Sequence, residues 1–200
     1  MRPDAPEEIV AKRIPPSGDS DWHPEILGWS GGIHEFYGKM AVEFASDAKF
    51  VELGVYKGRG ILWLACKLRE LGKLDVQLVG IDDGVYYDSH GELMRNVAAV
   101  TDGWGERPAV EIRRMRGRDA APSYPNGSLD CVFIDADHSA DAVYQDIVTW
   151  LPKVKQGGVL AGHDYAHVDC PGVKVGVDRF FGQGRVTLDP DTIWRVRVGA

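Results

Sequence analysis

The hydrophobic pattern changes period at Lys49. Before it, Ile33, Phe36, Tyr37, Met40 and Phe44 recur every three or four residues, which places them on one helical face and predicts a helix over about 33–45. After it, short apolar runs predict strands near 49–53, 76–81, 109–113, 129–134 and 157–162. Helical spacing between them predicts helices near 59–71, 89–99 and 139–151. Strands separated by crossovers of this length pair in parallel, in a sheet covered on both faces. Farther on, 173–181 predicts one more helix, and 185–188 followed by 193–198 predicts a closing hairpin with at least one antiparallel strand at an edge of the sheet. No internal repeat or low-complexity tract interrupts this order.

Residues 1–30 are rich in Pro, Gly, Asp and Trp, with a short helix predicted over 6–13 and breaks at Pro15-Pro16 and Gly18. With the first helix they make an arm, residues 1–46, that serves either as a lid or as an interface with a second subunit. Residues 47–200 read as one domain, because a chain of 200 residues suits a single core in which cofactor and substrate share one fold. The chain carries 30 Asp and Glu against 23 Lys and Arg, a formal charge of -7. That balance disfavours a nucleic-acid backbone or an anionic membrane as main partner and favours a small molecule. Arg113, Arg114, Arg116 and Arg118 form a local exception, either the solvated end of a strand or a contact for a phosphate or an acidic face. Cys66 and Cys131 fall in apolar patterns and read as buried thiols in a reducing compartment, whereas Cys170 lies beside Pro171 in a polar loop. No signal-peptide-type run and no stretch near the roughly 20 apolar residues of a membrane span is present. A soluble, cytoplasmic protein is expected.

In a parallel α/β sheet, ligands bind beyond the carboxyl ends of the strands. Polar and glycine residues gather there in this chain: Glu52, Gly54, Gly58 and Gly60 at the first strand, Asp82 and Asp83 at the second, Asp119 before the fourth, Asp135, Asp137 and His138 after it, and His163 and Asp164 after the fifth. The first turn, Gly54-Val55-Tyr56-Lys57-Gly58-Arg59-Gly60, lacks a G-x-G-x-x-G pattern and is preceded by a carboxylate, Glu52. A carboxylate there repels a pyrophosphate and suits a cationic amino-acid headgroup, while Asp82 closes the second strand where a carboxylate accepts from ribose hydroxyls. A dinucleotide-binding oxidoreductase is the competing reading and requires phosphate contacts over Lys57 to Gly60.

Val51-Glu52-Leu53-Gly54, Gly80-Ile81-Asp82 and Phe133-Ile134-Asp135-Ala136-Asp137-His138 together resemble the class I S-adenosylmethionine-dependent methyltransferases. The stretch from Val132 through Gly157-Gly158-Val159-Leu160-Ala161-Gly162-His163-Asp164-Tyr165 is similar to a small-molecule O-methyltransferase branch that includes macrolide-sugar and cephalosporin-pathway enzymes. The resemblance covers about 48–182. It implies a three-layer, doubly wound Rossmann-like α/β fold with a mostly parallel seven-stranded sheet and an antiparallel C-terminal strand. It further implies that Glu52 and Gly54 flank the methionine moiety, with Gly58 in the same turn, that Asp82 or its neighbour Asp83 holds the ribose, and that Asp119 approaches the adenine. Asp135 borders this cofactor site as well.

In metal-dependent members of that family, the equivalents of Asp135, His163 and Asp164 bind a divalent cation, magnesium or manganese, with an acid at the middle position. This chain has His163 there, and imidazole matches manganese, iron or zinc better than magnesium. A cation at this place holds two oxygens of a substrate diol and lowers the pKa of the attacking hydroxyl. His138 or His163 then serves as general base. Asp137 either orients His138 or caps the following helix. Tyr165, His167, Asp169 and Cys170 fall where the family shapes its acceptor pocket, and Trp22, His23, Trp29, Tyr86 and Tyr87 are placed to cover its mouth. The expected activity is methyl transfer from S-adenosylmethionine to a hydroxyl of a sugar, a glycosylated natural product or a phenolic diol. A non-catalytic protein retaining the cofactor fold is the remaining alternative, and a homo-oligomer is the expected assembly.

Overall fold

The computed structural model of the protein describes residues 26, 28, 31–85, 90–105 and 109–199. The helix expected over 6–13 and the aromatic residues Trp22, His23, Trp29, Tyr86 and Tyr87 lie outside the described residues. An opening helix, α1 (Gly31–Glu43), leads into β1 (Lys49–Leu53), α2 (Arg59–Glu70), β2 (Gln77–Ile81), α3 (His90–Thr101) and β3 (Ala109–Arg113). There follow α4 (Gly117–Ala120), β4 (Leu129–Ile134), α5 (Ala140–Trp150), β5 (Val154–Gly162), α6 (Pro171–Phe181), β6 (Thr187–Asp189) and β7 (Ile193–Arg197).

The seven strands form one sheet in the order β3-β2-β1-β4-β5-β7-β6. Strands β1 to β5 run parallel, and β7 pairs antiparallel with both β5 and β6. The hairpin is therefore present, but its antiparallel strand is inserted between β5 and β6 and does not form the edge. Residues 51 and 53 of β1 and 132 and 134 of β4 pack on one face with α5 and α6, whereas Phe50 and Phe133 pack on the other with α1 and α2. Both sets are buried, which is why these strands read as continuous apolar runs instead of alternating ones. Tyr37 on α1 sets its ring edge-on to Phe50 and Phe133, with centroids 5.3 and 5.1 Å away.

Strand β5 begins three residues before the expected 157, because Leu129 pairs with Val154 while Cys131 pairs with Val159, and the exposed Lys155, Gln156 and Gly157 bulge out between. Polar residues in a bulge look like a turn in sequence. Between β1 and β4 the strand order reverses, so the loops after these strands part to opposite faces and leave a crevice at their carboxyl ends. Among the described residues no helix is long and apolar enough to cross a membrane.

Candidate active site

The turn after β1 lies at that crevice. Gly54 has φ +80°, and a Cβ on it would fall 1.9 Å from the Asp135 carbonyl oxygen, so only glycine lets the ends of β1 and β4 approach this closely. Gly58, φ +91°, caps α2 and sits against Leu93 and Leu62. Glu52 is buried beneath α2, next to Gly60 and the Tyr37 ring. Burial first, then the Asp135 and Asp82 carboxylates, push its carboxyl up to about 8, against the opposing influence of the Tyr37 phenol. Among the described residues neither Glu52 Oε2 nor the Tyr37 hydroxyl has a partner within hydrogen-bond geometry, so the phenol acts on Glu52 as a near neighbour without satisfying it.

Asp82 ties the end of β2 to this turn. Its Oδ2 accepts from the backbone N–H groups of Val55 and Tyr56, both at 2.9 Å, and its Oδ1 accepts from Gly84 N–H at 2.7 Å. Asp83 accepts from Val85 N–H at 3.0 Å and faces Arg116 at 3.7 Å. Asp119 is exposed on α4. Two of the amides that a pyrophosphate would need at this turn are thus already committed to Asp82, and Lys57 is paired with Glu92 at 2.8 Å.

The ends of β4 and β5 bring Asp135, His138, His163 and Asp164 together. His138 Nε2 lies 3.2 Å from Asp135 Oδ1 and 3.5 Å from Asp164 Oδ2. His163 Nδ1 lies 3.1 Å from Asp164 Oδ1 and 3.9 Å from Asp135 Oδ2. Asp164 holds a left-handed backbone, φ +61°, a conformation that Asp adopts more readily than most residues other than glycine. Asp135, above all, raises the pKa of His138. Burial alone would lower that of His163, but Asp164, Asp135 and Asp191 together outweigh it and raise it. Burial likewise works to raise Asp164, and the neighbouring His163, His138 and His167 prevail and lower it. Asp137 accepts from Ser139 N–H at 2.8 Å, a local turn contact two residues along; the N-cap of α5 is Ser139 itself, without a side-chain cap hydrogen bond, so Asp137 does not cap the helix.

One carboxylate oxygen each from Asp135 and Asp164 and one nitrogen of His163 lie within 4.8 Å of one another, close enough to converge on one ion. Two hard oxygens with one imidazole fit a divalent cation of the manganese, iron or zinc type. The other ring nitrogen of His163, Nε2, is buried without a hydrogen-bond partner among the described residues, and Asp191 Oδ2 lies 3.8 Å from it, an ion-pair distance longer than the hydrogen bond that usually orients a ligating histidine. Asp191 in turn accepts from Gly32 N–H at 3.0 Å. Sequence reading missed Asp191, because Pro190-Asp191 reads as the turn of a hairpin and nothing local shows that this turn meets α1 and β5. Of the loop after β5, Tyr165 is buried and donates to Asp178 on α6 at 2.6 Å, so it packs the loop down, whereas Cys170 approaches His138.

Over residues 51–165 the chain matches a family model described as a methyltransferase domain. No curated protein matches the sequence. Among solved structures, the TDP-rhamnose 3'-O-methyltransferase of calicheamicin biosynthesis is 15% identical with a TM-score of 0.64, covering 84% of this chain and 77% of its own. An O-methyltransferase from Bacillus cereus in complex with S-adenosylhomocysteine is 16% identical with a TM-score of 0.63, covering 96% and 89%. The O-methyltransferase TomG from Streptomyces achromogenes, involved in tomaymycin synthesis and complexed with S-adenosylmethionine, is 18% identical with a TM-score of 0.61, covering 98% and 92%. At these identities the likeness is one of fold.

Proposed function

Because the chain belongs to the methyltransferase-domain family and is an S-adenosylmethionine-dependent methyltransferase, we propose that it methylates a hydroxyl of a small molecule with the help of a divalent cation. The observation that carries this reading is the convergence of Asp135, His138, His163 and Asp164 beyond β4 and β5, beside the glycine turn of β1. Glu52 and Gly54 are assigned to the methionine headgroup, the buried carboxylate meeting its ammonium. Asp82 already accepts three hydrogen bonds, and a carboxylate offers about four lone-pair sites. The two ribose hydroxyls are therefore shared between Asp82 and Asp83, with Asp119 near the adenine.

Asp135, His163 and Asp164 would hold the cation, which supplies Lewis-acid charge that makes a bound hydroxyl more acidic. His138 is the better base of the two histidines, since it is half exposed while His163 is buried among three carboxylates. With Asp135 and Asp164 engaged as ligands, His138 Nε2, which contacts both carboxylates in the ion-free chain, would be the nitrogen left to meet the acceptor. The acceptor oxygen then forms the bond to the methyl carbon as the sulfur–carbon bond breaks, the sulfonium becomes the neutral thioether, and the hydroxyl proton passes to His138 Nε2. A sugar or a phenolic diol presents two adjacent oxygens, which a cation held by Asp135, His163 and Asp164 would be able to polarise. The like-folded TDP-rhamnose 3'-O-methyltransferase supports a sugar hydroxyl as acceptor, and the other O-methyltransferases of like fold support a hydroxyl in general.

The test is S-adenosylhomocysteine release with S-adenosylmethionine and a panel of vicinal diols, nucleotide sugars among them, each against its fully methylated counterpart. Turnover should require a free hydroxyl and an added divalent cation. Asp164→Ala should retain cofactor affinity and lose turnover at least about 10²-fold. Cation-independent turnover, or full activity of Asp164→Ala, contradicts the metal-assisted reading, and methylation of amines in place of hydroxyls contradicts the acceptor class.

A further inference from the structure

Beside the oxygen-rich trio lies a second convergence of ligand atoms with a different chemistry. Cys170 Sγ is 3.2 Å from His138 Nδ1, the nitrogen placed to ligate with it, while Asp164 Oδ2 lies 3.5 Å from the opposite ring nitrogen, Nε2. One ligand atom from each of His138, Asp164 and Cys170 falls within a 4.8 Å span. The approach is built into the backbone. Gly172, two residues beyond the cysteine at the start of α6, lies so close to the His138 segment that a Cβ on it would sit 2.4 Å from the His138 carbonyl oxygen and 2.8 Å from the Ala140 nitrogen. Of the three cysteines, Cys66 and Cys131 are buried in the core, and Cys170 alone is partly accessible.

We propose that His138, Asp164 and Cys170 form a thiolate-containing site for a soft divalent cation of the zinc or cadmium class, an alternative to the oxygen-rich set with which it shares Asp164. Thiolate and imidazole donors select such ions over magnesium or calcium. Zinc–sulfur and zinc–nitrogen bonds of about 2.3 and 2.0 Å at a tetrahedral angle separate the two ligand atoms by about 3.5 Å, close to the spacing already present. In the ion-free chain, burial first and then Asp164 push the Cys170 thiol up to about 11, so it is protonated. The sulfur–metal bond therefore forms as the S–H bond breaks, and the proton leaves to solvent. Asp164 cannot complete both sets at once. If His138 is the base of the proposed reaction, a soft ion here removes both that base and a ligand of the activating cation, so it inhibits.

Cobalt(II) is the probe, titrated into the metal-stripped full chain. Binding at this site gives a thiolate-to-cobalt charge-transfer absorption in the near ultraviolet, which an oxygen and nitrogen set does not produce. We expect this band in the wild type, its loss in Cys170→Ser, and its retention in His163→Ala, with far-ultraviolet circular dichroism showing each variant folded. No band in the wild type at saturating cobalt overturns the proposal without relying on any variant. Persistence in folded Cys170→Ser, or loss in folded His163→Ala, overturns it as well. S-adenosylmethionine affinity measured on the same samples keeps this outcome separate from the functional reading: a missing band with intact cofactor binding removes only the thiolate site.

Discussion

Glu52 shows at the scale of one residue how a site is maintained at a cost to stability. Its carboxyl, pushed up to about 8 by burial and by Asp135 and Asp82, is mostly protonated in the free protein at neutral pH. Between the ordinary carboxyl value of 4.5 and about 8, the folded chain keeps a proton that the unfolded chain has lost, so Glu52 lowers stability progressively as pH rises through this window. Glu52→Gln removes that dependence. We expect the variant to be more stable than the wild type by an amount that grows from pH 5 to pH 8 to the order of a few kcal/mol, as read by urea unfolding. The same change should raise the Kd for S-adenosylmethionine about tenfold to hundredfold, since a charge-assisted contact to the ammonium is lost. Unchanged affinity contradicts the headgroup assignment. Glu52, Asp82, Asp135, His138, His163 and Asp164 were all legible as polar residues closing apolar runs. Asp191 and the approach of Cys170 to His138 were not, because both depend on loops folded together from distant parts of the chain.

Among the elements, the β1–α2 turn determines where the cofactor can lie. Its position follows from Gly54, whose left-handed backbone and contact with Asp135 leave no space for a side chain. Gly54→Ala should cost about 3 kcal/mol or more, combining left-handed strain with forced separation of β1 and β4, and should weaken cofactor binding with it. A loss under about 0.5 kcal/mol in chemical unfolding contradicts that account of the turn. Strands β1, β3 and β4 were legible to the residue, β1 and β4 because burial leaves apolar runs bounded by turn residues, and the edge strand β3 because Val110 and Ile112 alternate with the polar Glu111 and Arg113. The start of β5 was obscured by its bulge. The short α4, Gly117–Ala120, was missed because one turn of helix has no apolar period to read.

For the molecule as a whole, sheet order decides function, since the reversal between β1 and β4 opens the crevice that the cofactor turn and the acidic cluster share. A crossover pattern predicts parallel pairing but not which strands become neighbours, so the insertion of β7 between β5 and β6 was beyond sequence reading. The arginine cluster resolves toward the solvated strand end: Arg113 pairs with Glu111 at 2.7 Å and stacks on Tyr124, and Arg116 faces Asp83. At the opposite end of the chain, the Ile26 carbonyl accepts from Arg59 Nη1 at 2.8 Å, which ties Ile26 to the first turn of α2. All of these assignments depend on the crevice accepting S-adenosylmethionine. The most direct measurement is calorimetric titration of S-adenosylmethionine into metal-stripped protein near neutral pH, repeated in buffers of different ionisation enthalpy. We expect saturable binding, micromolar or tighter, with net proton release as Glu52 passes from neutral to ionised against the ammonium. No binding by folded protein would contradict the cofactor site, and binding without proton release would contradict the role of Glu52 in it.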